Sequence, residues 1–276
     1  MHLERFESSL WQTSSLLLVA DGEAVVIDPC VSADEVAAIS ARAVELGARV
    51  THVCATHADW DHVCGIAAFP EAVAVMGTLS AAAVAGGGPA GRIQKRAREY
   101  GIAVAGDPRV DRVLEPGLAH RVGPFLVETM ALPGHTPDGT AYRVRELEVL
   151  AVGDHLSTAE FPIASSTAAY RTTLAGLIDL LRHDPPELVV PGHGPPLTAV
   201  EALAVAEADL GYLRSLRDAA ADALARGATR DDIRQAALTV ELPRPAPDDL
   251  DAMRAANVEA QLDELLPYAD SSAPPS

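Results

Sequence analysis

The segment Thr56-His57-Ala58-Asp59-Trp60-Asp61-His62-Val63-Cys64-Gly65 places four potential metal ligands within six positions. His57, Asp59, Asp61 and His62 follow directly on the β-rich run Arg49 to Ala55, where a loop can fold them inward. Imidazole nitrogen together with carboxylate oxygen suits zinc, manganese or iron. A solvated polar loop is the plain competing reading, and chance rarely gives this density of ligands.

Three later turns share the same grammar: Pro133-Gly134-His135-Thr136, Gly153-Asp154-His155 and Pro191-Gly192-His193-Gly194. Each follows an apolar run and sets a His or Asp beside a small residue. In α/β architectures ligands gather where strand ends meet loops, and glycine lets backbone approach closely. Any one of these turns reads as a capped turn with a hydrogen-bonded His or Asp. All three beside the first motif do not.

The ordered set His57/Asp59/Asp61/His62, His135, Asp154 and His193 resembles the metallo-β-lactamase superfamily, from about the Asp28 turn to Gly194. The resemblance implies an α/β fold, a four-layer αβ/βα sandwich with two divalent metal ions on one edge. It implies a first site from His57, Asp59 and His135, a second from Asp61, His62 and His193, and Asp154 bridging the two. Most members of the family carry histidine where this chain has Asp59, and a subset shares its His-x-Asp-x-Asp-His form. The carboxylate adds negative charge and a harder ligand, so zinc is the first expectation, with manganese or iron admitted. Alternatively, Asp59 orients a ligand and leaves a single-metal site.

The function expected from this resemblance is a metal-dependent hydrolase. A metal-bound hydroxide would cleave a small ester, thioester, lactone or phosphodiester, with Asp61 orienting the nucleophile or shuttling its proton. The alternative is a non-haem iron oxidoreductase of the sulfur-dioxygenase type, built on His57, His135 and Asp154. The presence of every second-site ligand counts against it. A metal-holding protein without catalysis is a third reading.

Several neighbours invite functional roles that plainer readings cover. His155 is expected to support the ligands or line the pocket. Ser157 reads as a turn cap. Trp60 either floors the pocket or packs, Tyr170 and Leu174 read as core, and Arg92 to Arg98 as a solvated helix face. His2, His52, His120 and His183 are expected to be exposed or structural.

These ligands need strands and helices to hold them. Ser15 to Ala20 and Ala24 to Ile27 read as strands joined by an Asp21-Gly22 turn. Ser32 to Leu46 reads as a helix with Ser32 as N-cap and Gly47 as stop. Further strands are expected at Arg49 to Ala55, Val73 to Met76, Phe125 to Leu132, Glu148 to Val152 and Leu188 to Val190. Helices are expected at Thr78 to Ala85, Ala90 to Tyr100 and Thr172 to Arg182. After Thr198 the pattern is helical throughout: Val200 to Arg226, a helix capped by Thr229 with Asp232 at N3, and Leu250 to Leu266. The expected organisation is a catalytic domain over 1–198, a helical C-terminal extension over 199–270 and a disordered tail over 271–276.

The 276 residues are 49% hydrophobic but only 4% aromatic, so Ala, Val and Leu must fill most of the core. A formal charge of −18, from 39 acidic and 21 basic residues, disfavours nucleic acid and anionic membranes as general partners and leaves a small-molecule substrate. Cys30, Cys54 and Cys64 are too few and odd in number for a disulfide framework, and read as buried thiols. No signal peptide is evident at the N-terminus and no apolar run is long enough to span a bilayer, so a cytoplasmic location is expected. The oligomeric state is left open.

Overall fold

The computed structural model describes residues 1–29, 31–245 and 251–266. One sheet is built from β1 (His2–Glu7), β2 (Ser14–Ala20), β3 (Glu23–Ile27), β4 (Arg49–Ala55), β5 (Val73–Gly77) and β6 (Arg112–Leu114), in that spatial order. Its first three strands pair antiparallel and the rest parallel. The second sheet contains β7 (Ala119–Val122), β8 (Phe125–Ala131), β9 (Thr140–Val144), β10 (Val149–Ala151) and β11 (Leu188–Val190), ordered β11-β10-β9-β8-β7.

Helices α1 (Ala33–Glu45), α2 (Trp60–Val63), α3 (Thr78–Ala85) and α4 (Gly88–Tyr100) belong to the first half of the chain. Helices α5 (Thr167–His183), α6 (Ala199–Ala225), α7 (Arg230–Leu238) and α8 (Asp251–Leu265) belong to the second. Side chains alternate across a strand, so each strand of a doubly covered sheet feeds two apolar layers. Along β2, Leu16 and Leu18 face the other sheet, where they join Val25, Ile27, Val75, Phe125, Val127 and Tyr142. Leu17 and Val19 face the helices and join Val36, Ile39, Ala43, Val84 and Ile93. A third layer joins Leu150, Val152 and Val189 to α5 and to the C-terminal helices through Leu177, Leu213, Leu216, Val258 and Leu262. Three apolar layers between helix, sheet, sheet and helix make the four-layer sandwich, with the C-terminal helices stacked on α5. Each fully buried leucine or isoleucine contributes about 1.5–3 kcal/mol relative to exposure.

The boundaries follow local chemistry. Ser32 and Glu35 form a capping box on α1, and Thr198 with Glu201 and Thr229 with Asp232 do the same for α6 and α7. Two readings from the sequence need correction. Helix α5 begins at Thr167, with the Ser166 hydroxyl accepting from Ala169 N, rather than at Thr172. Strands β1, β6, β7 and β9 were not anticipated. In β9 the polar Arg143 hid the pattern. It is buried because its guanidinium reaches Asp184 at 2.8 and 3.1 Å. Cys30, Leu250 and the tail from Ser271 lie outside the described residues. Cys54 and Cys64 are buried.

Candidate metal centre

Strands β4, β8, β10 and β11 each end at the same edge of the sandwich, and each runs into one of the four motifs. After β4 the chain is pinned by Asp28, whose carboxylate accepts from Thr56 N and Thr56 Oγ1, both at 2.7 Å. Asp138 accepts from Ala58 N at 2.8 Å. The single turn α2 then buries both Asp61 and His62. Gly192 lets the last loop press onto the others: a Cβ there would collide with the Asp154 carboxylate and the His62 ring.

The four motifs converge. Asp154 stands at the middle. Its Oδ2 lies 3.5 Å from His57 Nε2 and 3.1 Å from His135 Nε2. Its Oδ1 lies 3.0 Å from His62 Nε2 and 3.4 Å from His193 Nε2. On one side Asp59 Oδ2 is 3.6 Å from His57 Nε2 and 3.5 Å from His135 Nε2. On the other, Asp61 Oδ2 is 3.6 Å from His62 Nε2 and 3.4 Å from His193 Nε2. His57, Asp59 and His135 thus form one group able to hold a cation, and Asp61, His62 and His193 another.

The opposite edge of each imidazole is already engaged. His62 Nδ1 lies 3.0 Å from Asp28 Oδ2, which can only accept, so Nδ1 carries the proton. His57 Nδ1 donates to Thr56 Oγ1 at 3.1 Å, because that hydroxyl spends its own proton on Asp28. His135 Nδ1 donates to Ile163 O and His193 Nδ1 to Trp11 O, each at 3.1 Å. When neutral, all four rings therefore point an Nε2 lone pair inward. The Nε2 atoms of His57, His62 and His135 and the Oδ1 of Asp154 are buried without a hydrogen-bond partner. Such orphans are costly, and inward lone pairs oriented by outer acceptors fit a divalent cation.

The electrostatics agree. Burial and the neighbouring His62 oppose charge on His57, yet Asp154 and Asp59 outweigh both and lift it to about 9. His193, also opposed by burial, is lifted to about 9 by Asp154, Glu160 and Asp61. His62 and His135 stand well above their usual value for the same reason. Burial works against charge on Asp154, but the four surrounding imidazoles hold it well below the usual carboxylate range. Without a cation the cluster stores protons, and a cation would displace them.

Beside these residues opens a cavity of about 570 Å³, lined on its polar side by Asp59, Asp61, His135, Asp154, Glu160 and His193. Trp11, Trp60, Ile163 and Met253 give it an apolar part, and Arg92, paired with Asp59 at 3.2 Å, and Arg96 also line it. Trp60 both packs and lines the cavity: it is 5% exposed and stacks on Tyr100 at 6.2 Å. His155 is buried against Tyr170 and pressed down to about 3, by burial and then by His135. The Ser157 hydroxyl caps its turn, accepting from Ala159 N and donating to His193 O at 2.8 Å. Tyr170 is core, as expected, but its hydroxyl also donates to Asp154 O at 3.3 Å. His2, His52, His120 and His183 lie outside this cluster.

Sequence reasoning missed five contributors. Asp28 was read only as a turn after the second strand, with no part in the site. Glu160 carries no motif, yet its carboxyl lies 3.8 Å from His193 Nε2 and is pushed up to about 7 by burial, against the pull of His193. Trp11 precedes the first buried strand in a left-handed conformation, φ 57°. Arg92 and Arg96 were assigned to a solvated face; the packing of α4 beside α2 brings them to the cavity instead. Their spacing of four on a helix was the available signal.

Comparison with known proteins bears on the same edge of the molecule. The family described as the metallo-beta-lactamase superfamily matches residues 9–193, which span all four motifs. A probable metallo-hydrolase of Bacillus subtilis (strain 168), YqgX, is 25% identical over 194 residues, covering 67% of this chain and 86% of that one. Among solved structures, TTHA1623 in a di-iron-bound form is 27% identical, with a TM-score of 0.55, over 72% of this chain and 96% of that one. The inverting sec-alkylsulfatase Pisa1 from Pseudomonas sp. is 15% identical at a TM-score of 0.72, covering 98% of this chain and 50% of that one. Two packed sheets whose strand ends bring four His- and Asp-bearing turns together over residues 9–193 make this chain a member of the metallo-β-lactamase superfamily.

Proposed function

We propose that the chain is a metal-dependent hydrolase of a small-molecule ester, thioester, lactone or phosphodiester. Two divalent cations, zinc foremost, would be held by His57, Asp59 and His135 on one side and Asp61, His62 and His193 on the other, with Asp154 between. The observation that carries this reading is the set of buried, unpartnered Nε2 atoms aimed at the two oxygens of one carboxylate. Iron is admitted by the carboxylate at Asp59 and by the di-iron relative.

Divalent cations, when bound, acidify water and polarise an ester-type oxygen. The chain's own residues do the rest. Asp61 is buried on the cavity wall, where its carboxylate can orient an attacking water and accept its proton. The outer acceptors Asp28, Thr56, Ile163 O and Trp11 O fix the rings, so little reorganisation is needed during reaction. Trp11, Trp60 and Ile163 keep one side of the cavity apolar. The net charge of −18 argues against nucleic acid as substrate. Among the described residues no helix is long and apolar enough to cross a membrane, and we place the enzyme in the cytoplasm as part of this proposal.

The test is to load the protein with zinc, manganese or iron and assay a panel of those four bond classes, with oxygen uptake on a persulfide measured in parallel. Hydrolysis that disappears in His62→Ala and Asp154→Ala, both still folded by circular dichroism, is the expected result. Full activity in both variants contradicts the reading. Iron-dependent oxygen uptake without hydrolysis favours the sulfur-dioxygenase type instead.

A further inference from the structure

Of the four rings around Asp154, His135 is the least buried. Its side chain is 14% exposed, against 2%, 0% and 2% for His57, His62 and His193. Thr56, Asp28 and Trp11 O, which engage the other three rings, all precede His57 in the sequence. The acceptor for His135 Nδ1 is instead Ile163 O, in a stretch from Phe161 to Ala164 with no regular secondary structure. A carbonyl on such a stretch orients a ring only if the peptides around it are held.

Helix α8 holds them. The side chain of Asn257 is fully buried and bridges Ile163 from both sides: Nδ2 donates to Pro162 O at 2.9 Å, and Oδ1 accepts from Ala164 N at 2.8 Å. Pro162 O can only accept and Ala164 N can only donate, so these partners fix which way the amide points. Beyond Ala164, Ser165 N donates to Gly134 O at 2.8 Å and to His135 O at 3.1 Å, which lays the loop against the His135 turn. Gln261 and Glu264, four and seven residues after Asn257 and on the same face of α8, accept from Thr167 Oγ1 at 2.9 and 2.7 Å. Met253, four residues before Asn257, lines the cavity. One face of α8 thus runs from the cavity to the start of α5. Val258 and Leu262 already pack this helix into the core. Asparagine is a poor helix former, and when buried its amide must be satisfied at both ends, so Asn257 points to a task other than apolar burial.

We propose that Asn257 is a positioning residue of the metal centre. Through the peptides on either side of Ile163 it fixes the carbonyl that orients His135, and so sets how tightly His57, Asp59 and His135 hold their cation. This rests on the metal-hydrolase reading and gives the C-terminal helix a part in it. Helix α8 begins at Asp251, beyond the residues 9–193 that match the family, so the first cation group draws support from outside the matched segment. The outer acceptors of the second group, Asp28 and Trp11 O, lie beside the first sheet instead, after β3 and between β1 and β2.

The test is the cobalt(II) affinity of the full chain, read by visible absorption and chelator competition, since zinc itself has a filled d shell. Each cation group is isolated in turn: His62→Ala leaves the first, His135→Ala the second. In the His62→Ala background, Asn257→Ala and the isosteric Asn257→Asp should each weaken cobalt binding about tenfold or more and alter the absorption spectrum. In the His135→Ala background neither should change the affinity by more than about twofold, because the ring through which Asn257 acts is gone. Gln261→Ala controls for a loosened helix: it removes the neighbouring contact to Thr167 and should leave the first group's affinity unaltered. Undiminished first-group affinity in both Asn257 variants overturns the inference. So does an equal loss in the two backgrounds, or an equal loss in Gln261→Ala. Each of these leaves the metal site standing. If neither background takes up cobalt, the metal reading fails and the inference with it.

Discussion

Asp28 shows how much of the site depends on a residue outside the four motifs. It holds left-handed backbone at φ 50°, where a non-glycine residue costs about 1–2 kcal/mol. Its carboxylate ties Thr56 in place and fixes the proton of His62 on Nδ1. Asp28→Asn preserves size but offers His62 Nδ1 an N–H or a poorer acceptor, which favours the tautomer with the proton on Nε2, facing the cation. We predict a loss of about 10–100-fold in metal affinity, measured by chelator competition, with secondary structure unchanged. Unaltered affinity would show that ring orientation comes from elsewhere. The candidate ligand residues stood out in the sequence because imidazoles and carboxylates cluster there at a density that packing does not explain, and the fold brings them together. Asp28, Glu160 and Trp11 did not stand out, because a single Asp at a strand end, a lone Glu and a Trp before a strand are common with no site nearby. Only the fold brings them within reach of His62 and His193.

Among the elements, the long helix α6 carries a buried acid that ties the C-terminal helices to the cavity wall. Asp209 is fully buried and meets Arg244, Nε to Oδ1 at 2.6 Å, while Arg244 Nη2 also donates to Glu160 O at 3.2 Å. Burial outweighs the guanidinium and pushes the Asp209 carboxyl up to about 6. A folded value above the unfolded one means the native state holds the proton more tightly. The contribution of this group to stability is therefore complete below about pH 4 and is lost as pH rises through about 6. The stability of wild type relative to Asp209→Asn, from urea denaturation, should fall on the order of 3 kcal/mol across that window. A difference that grows with pH would mean the ion pair dominates instead. Most elements were legible from apolar periodicity and from capping pairs such as Ser32 with Glu35. Strand β9 was not, because Arg143 interrupts the apolar run and only its pairing with Asp184 explains its burial. The role of α4 escaped for a related reason: its arginines read as solvated until α2 is packed beside it.

At the scale of the molecule, the three apolar layers hold two sheets so that four strand ends share one edge. The four His- and Asp-bearing turns span more than a hundred residues of sequence, from His57 to His193, yet all meet around Asp154. The layered architecture was legible from the alternation of strands and helices together with the family resemblance. The C-terminal helices were legible as helices, but their stacking on α5, and the reach of Met253 into the cavity, depend on tertiary packing that local pattern does not encode. Anomalous diffraction from crystals grown with zinc and recorded at its absorption edge tests the central claim most directly. Two peaks should flank the Asp154 carboxylate, one among His57, Asp59 and His135 and the other among Asp61, His62 and His193. No peak there, or a single one that leaves Asp154 uncoordinated, would contradict the account.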